Sequence, residues 1–188
     1  INLVNEGYLY RIQGKGTFVA GTERRRKHFR YYKMLRNLED SPADIDINFL
    51  SIEQISQQDP DRKDCNVFGN QTLFKLRRLF RHKNNPLILT VSMLPAKMFP
   101  DLDKQDEIFF NHNLLYIALE QSYGVTTVAN QELFSATSAD QVLAEIFGVK
   151  EGHPLLYIEM LSFTYRDKPY EYRKAYCLTD DRKIEVRF

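Results

Sequence analysis

Arg78 is the residue whose setting most demands chemistry. In residues 72–80, strand alternation places Thr72, Phe74, Leu76, Arg78 and Phe80 on one face, so a single charge stands on an otherwise apolar surface. Burying an unpartnered guanidinium costs of the order of several kcal/mol, so Arg78 requires either an internal carboxylate or an anionic ligand. A second group lies in residues 170–177, where Glu171, Arg173, Ala175 and Cys177 share one face and Tyr170, Tyr172, Lys174 and Tyr176 the other. Arg173 can pair with Glu171 or supply further positive charge, and the residues alone leave both open. Bond-making chemistry has no comparable candidate. His28, His82, His112 and His153 are scattered among loop and turn sequences, with no nucleophile–base pair beside them. Cys65 and Cys177 form no CxxC and have no histidine spacing suited to zinc. We expect two structural thiols in a reducing cytoplasm, with no metal, no cofactor and no catalytic residues.

The elements that must position these residues are two long hairpins. In the first, apolar-rich runs flank His82-Lys83-Asn84-Asn85-Pro86, a cluster of turn formers. On its return strand Ile88, Thr90 and Ser92 fall on one face and Leu87, Leu89, Val91 and Met93 on the other. The second hairpin occupies residues 155–177, turning at Arg166-Asp167-Lys168-Pro169. Its spacing parallels the first and suggests two related hairpin-plus-helix halves in one antiparallel sheet. Helices are expected over 113–123, ending at Gly124, and over 139–147, where Ser138 to Gln141 has capping-box spacing and Gly148 closes the helix. Strands are expected over 43–55, 125–134 and 184–188. Residues 57–70 read as a loop and 96–103 as an irregular connection. The charge run Arg24 to Lys27 leads into a helix with Phe29, Tyr32, Met34, Leu35 and Leu38 on its apolar face; the run is either a solvated face or a phosphate contact.

At 188 residues, with 43% hydrophobic and 13% aromatic residues, the chain suits one buried domain plus a small appendage. A net charge of +1 gives no global drive toward nucleic acid, so basic character must be local. No apolar run approaches a membrane helix, and no membrane partner is expected. The first residue is Ile1 rather than Met, consistent with a segment upstream.

Residues 3–20, LVNEGYLYRIQGKGTFVA, read as a helix end at Gly7 followed by a small basic hairpin with Gln13, Gly14, Lys15 and Gly16 at its tip. The stretch closely resembles the end of the winged helix-turn-helix of GntR-type bacterial transcription regulators. That resemblance implies that Gln13, Gly14, Lys15 and Gly16 contact DNA as a wing. The family's preceding helices would lie upstream of Ile1, so weak, sequence-indifferent DNA binding is expected of this stretch alone.

From about residue 28 to Phe188 the chain resembles a UTRA domain, the effector-binding module of the HutC subfamily of those regulators. The matching landmarks are LRRLFRHKNNPLILTVSMLP, NLLYIALEQSYGV, QELFSA, AEIFGVKEGHPLLYIE and KPYEYRKAYC, in that order. The resemblance implies an α+β, chorismate-lyase-like fold, an antiparallel sheet with flanking helices, preceded by a remnant of the winged helix. It divides the chain into 1–20 (wing), 21–27 (linker) and 28–188 (effector-binding and dimerisation domain). The implied partners are a small-molecule effector, operator DNA in the full-length protein, and a second copy of the chain. The implied effector residues are Arg78, Phe80, Thr90, Ser92, Asn113, Glu171 and Arg173. Phe80 stands where the family commonly has a second arginine, Thr90 where a glutamate is frequent, and Asn113 where a serine often opens the helix. The function expected is a cytoplasmic repressor's sensor for an acidic metabolite. The competing expectations are a ligand-free dimerisation module plugged by its own side chains, and a lyase-like enzyme.

Overall fold

Alternating apolar residues in both hairpins give each strand a face to bury, and the strands meet in one antiparallel sheet. The computed structural model describes residues 3, 9–19, 33–40, 44–62, 65–111 and 115–185. In chain order the strands are β1 (Leu9–Ile12), β2 (Gly16–Val19), β3 (Lys33–Leu35), β4 (Asp46–Ile55), β5 (Leu73–His82), β6 (Asn85–Pro95), β7 (Ala129–Ser138), β8 (Pro154–Thr164), β9 (Lys168–Cys177) and β10 (Lys183–Glu185). The helices are α1 (Glu107–Asn111), α2 (Leu115–Tyr123) and α3 (Gln141–Phe147). The main sheet has six strands in the order β4-β5-β6-β9-β8-β7, while β1–β2 and β3–β10 form separate two-stranded sheets. The two predicted hairpins, β5–β6 and β8–β9, join through the β6–β9 pair at the centre of the sheet.

Both faces of the sheet are covered. On one, Phe74, Leu76, Leu94 and Met160 pack against Phe99, Leu102, Phe110, Leu115, Tyr116 and Leu119 from residues 99–123, which include α1 and α2. Farther along the same face Ile47, Phe80, Ile88, Ile158, Ala175 and Cys177 pack against Met34 of β3, with Ile184 of β10 alongside. On the opposite face α3 supplies Leu143, Ala144 and Phe147 to Leu79, Leu89 and Leu155. Cys65 and Phe68, from the loop before β5, cover Leu73, Met93 and Tyr172 there. That loop is also tied down by charge: Lys75 Nζ lies 3.1 Å from both Glu53 and Asp59 and 3.4 Å from Asp61. Burial pulls the Lys75 pKa down, but hydrogen bonds to Glu53 and Asp59 and the Asp59 and Asp61 charges outweigh it and raise it.

Several expectations need correction. Residues 33–35 are a strand, not part of a helix: Met34 pairs with Ile184, while Leu38 is 95% exposed where a buried helical stripe was expected. The short helix α1 was not anticipated. The strand expected at 125–134 runs from Ala129 to Ser138, because Val125, Thr126 and Thr127 are already buried in the connection from α2. Helix α3 starts at Gln141, and its N-cap is Asp140 rather than Ser138, with the Asp140 carboxylate accepting from Leu143 N at 2.8 Å. Tyr170 does not share a face with Tyr172. The register shifts between Ser162 and Phe163, so Tyr170 is an extra residue on β9 and packs with Phe99, whereas Tyr172 packs with Leu73 and Met93. The helix end before Gly7, the charge run 24–27 and residues 186–188 of the last strand lie outside the described residues, as do Asn113 and the start of the expected 113–123 helix.

Candidate functional site

In an antiparallel sheet, directly opposed residues project from the same face, so the register assembles the site row by row. One row runs Phe49, Arg78, Thr90, Ala175, Ile158 across β4, β5, β6, β9 and β8. The next runs Leu76, Ser92, Arg173, Met160, Glu132. A third, nearer the β8–β9 turn, contains Glu171, Ser162 and Asn130. Of the expected effector residues, Arg78, Phe80, Thr90, Ser92, Glu171 and Arg173 thus share one sheet face, between the cluster under α2 and the cluster under β3.

Arg78 is 2% exposed. Its Nη1 donates to the Phe110 carbonyl of α1 at 3.4 Å, and its guanidinium carbon sits 5.3 Å from the centre of the Phe80 ring. Phe80 therefore gives Arg78 a cation–π surface. Thr90 Oγ1 donates to the Arg78 carbonyl at 3.3 Å, which occupies that hydroxyl proton. Arg173 forks onto one oxygen of Glu171, Nε at 2.9 Å and Nη2 at 2.7 Å, and Nε also reaches Ser92 Oγ at 3.2 Å. Of the two roles open to Arg173, the ion pair with Glu171 is the one observed.

Tyr116, on α2, is the element that closes over these charges, and its ring centre lies 5.1 Å from the Arg173 guanidinium carbon. Its hydroxyl is directed to Met160 Sδ at 3.7 Å. Burial pushes the Tyr116 pKa far up; Arg173 and Arg78 pull it down, while Glu171 and Glu132 push it up. One hydroxyl thus feels four ionisable side chains from three strands other than its own helix. Tyr170 is also held protonated, chiefly by burial and then by Glu171, and its hydroxyl shares a 2.5 Å hydrogen bond with Thr127 Oγ1. Glu171 is fully buried, yet its second oxygen, Oε2, has no hydrogen-bond partner; neither have Ser162 Oγ and Asn130 Oδ1, both also buried.

Sequence reasoning missed Tyr116, Asn130, Glu132 and Ser162. Ser162 had a signal, as a polar residue at an inward position after Ile158 and Met160. Asn130 had none, since it stands near the start of an edge strand whose residues are mostly exposed and show no clear inward alternation. Among the described residues no group of acidic, histidine or cysteine side chains could hold a metal ion.

The residues expected to form a wing pair as a hairpin of their own. β1 and β2 pair from Leu9–Val19 to Ile12–Gly16, and Gln13 to Lys15 form the exposed turn. Gly14 (φ +77°) and Gly16 (φ +110°) adopt conformations that a side chain would strain.

The UTRA domain profile matches residues 42–183. The chain is 26% identical over 169 residues to the HTH-type transcriptional regulator YurK of Bacillus subtilis, covering 90% of this chain and 69% of that protein. It is 20% identical over 174 residues to the HTH-type transcriptional repressor NagR of Bacillus subtilis, covering 93% and 70%. Its fold superposes with a TM-score of 0.74 on a ligand-binding domain assigned to the GntR family of regulators in Bordetella bronchiseptica, at 24% identity over 85% of this chain and 98% of that one. The effector domain of PhnF from Mycobacterium smegmatis gives 0.62 at 17% identity, covering 73% and 82%. With an antiparallel sheet carrying charged side chains on one enclosed face, a domain profile covering most of its length and HTH-type transcriptional regulators among its named relatives, this chain belongs to the UTRA domain family.

Proposed function

We propose that the chain senses a small acidic metabolite and that binding changes the affinity of a bacterial repressor for its operator. The observation that carries this reading is the concentration of two buried guanidinium groups, Arg78 and Arg173, on one apolar sheet face. A cation in that setting gains most from a charge-assisted, bidentate contact with a carboxylate or phosphate. Phe80, Thr90 and Ser92 shape its surroundings, and Asn113 is assigned to the ligand's anionic end. The wing, Gln13 to Gly16, contacts operator DNA. Residues 1–20, 21–27 and 28–188 serve as wing, linker and effector domain.

The test is thermal shift of this chain against sugars, sugar phosphates, amino acids and organic acids. A binder at 100 times its Kd stabilises by about 2.7 kcal/mol, or roughly 5–10 °C for a chain of this size. For an acid found this way, calorimetry on Arg78→Ala should show affinity reduced by at least about tenfold, the value of one charge-assisted contact. Undiminished affinity in a folded variant would remove Arg78 from the site. The Arg173–Glu171 pair under Tyr116 favours a second reading, a face plugged by its own side chains. That reading expects no thermal shift from any acid.

A further inference from the structure

We propose that the row Asn130–Ser162–Glu171 is an ammonium-binding subsite, so that the effector is an elongated zwitterion with its acidic end at Arg78 and a primary amine at this row. The inference rests on the acidic-effector reading and adds the opposite end of the ligand. Three adjacent strands place these side chains directly opposite one another on the face that carries Arg78 and Arg173. Each holds a buried polar atom with no hydrogen-bond partner: Asn130 Oδ1, Ser162 Oγ and Glu171 Oε2. Glu171 and Ser162 are both 0% exposed. Leaving such groups unsatisfied is costly, and three in one row mark a place where partners arrive from outside the chain.

The chemistry of the missing partner follows from the atoms. A carboxylate oxygen and an amide oxygen only accept, and the serine hydroxyl can accept as well. A primary ammonium brings three donors and one positive charge. Arg173 already occupies Glu171 Oε1 from one side, so the ammonium is left with Oε2. The spacing sets the length of the ligand. Ala175, opposite Thr90 in the Arg78 row, is four residues from Glu171 along β9, about 13 Å at strand rise, and β5 lies two strands from β9, an offset of about 10 Å across the sheet. The ligand is therefore elongated, with its acid and its amine separated by at least about six atoms.

The experiment uses matched acids that differ at the amine: 6-aminohexanoate against 6-hydroxyhexanoate, and glucosamine 6-phosphate against glucose 6-phosphate. Calorimetry compares the parent chain with Ser162→Ala, Asn130→Leu, Glu171→Gln and Arg78→Ala. In at least one pair the amine member should bind the parent about tenfold or more tightly than its partner. Ser162→Ala and Asn130→Leu should shrink that preference, while Arg78→Ala should weaken both members. Thermal melts without ligand add an independent readout: Ser162→Ala should leave Tm unchanged or raise it, because it removes an unsatisfied hydroxyl. Glu171→Gln strips Arg173 of its charge partner, so the serine and asparagine variants decide if it does not fold. Equal binding of the members of each pair, with Arg78 still required, overturns this subsite and leaves the acidic-effector reading intact. A preference that survives both variants, or a Tm drop in Ser162→Ala, also overturns it. No binding by any of the four acids sinks both.

Discussion

At the residue scale, the Glu171–Arg173 pair is held within a sheet interior, with Arg173 6% and Glu171 0% exposed. Removing one partner strands the other, which costs about 3–5 kcal/mol, whereas replacing both with apolar groups often costs little. Urea unfolding should therefore show Glu171→Ala strongly destabilised and Glu171→Leu/Arg173→Met close to the parent. A similar loss in the double variant would mean that the pair stabilises in its own right. Cys177 gives a pH dependence. Burial pushes its thiol pKa from 9.0 up to about 12. The thiol stays protonated in the fold while the unfolded chain ionises, so its stabilisation is fully present below pH 9 and is lost as pH rises toward 12. Over that window each pH unit favours unfolding by about 1.4 kcal/mol from this group. Cys177→Ala should flatten the alkaline limb of the stability profile, and an unchanged slope would assign it to other groups.

At the element scale, the β5–β6 turn sets the register on which Arg78, Thr90 and Ser92 depend. Lys83 (φ 48°) and Asn84 (φ 67°) both adopt left-handed backbone, the requirement of a two-residue type I′ turn, and neither is glycine. Asn-Gly suits that geometry best, and the left-handed region costs ordinary residues about 1–2 kcal/mol. Lys83→Asn/Asn84→Gly should raise stability by roughly 0.5–1.5 kcal/mol, measured by chemical denaturation, without altering ligand binding. A loss of stability would show that Lys83 or Asn84 makes a contact that outweighs the backbone strain. Helix α3 depends on a different device, the Asp140 cap and the left-handed Gly148, and it covers the sheet face away from the site.

At the scale of the whole molecule, the sheet face that carries Tyr172, Leu73 and Leu79 is covered by the chain itself and offers no surface to a second copy. Leu73 and Leu79 are 0% and 3% exposed beneath the preceding loop and α3. The surface better suited to a second copy is β7, an edge strand ten residues long with Leu133 61% and Phe134 46% exposed. Proteins seldom leave so long an edge open, and antiparallel pairing of two such edges about a two-fold axis would satisfy both. Light scattering should give twice the 22.2 kDa chain mass for the parent. Leu133→Lys should shift it toward monomer, and a dimer unaffected by that charge would place the interface elsewhere.

Local periodicity was enough to determine much of this protein. Alternation in residues 72–95 and 155–177 fixed both hairpins and put Arg78, Thr90, Ser92, Glu171 and Arg173 on inward positions, because strand side chains alternate whatever the surroundings. The glycines at 14, 16, 124 and 148 marked turns and helix ends, since each adopts a positive φ. Tertiary structure alone decided what lies beside what. Met34 became a strand because Ile184, 150 residues on, offers a pairing edge. A single extra residue in β9 turned Tyr170 away from Tyr172, and no local pattern announces a bulge. The choice of Glu171 as the partner of Arg173 required side-chain geometry. The row Asn130–Ser162–Glu171 gathers residues from three strands whose adjacency depends on register, and register is settled by packing across the whole sheet.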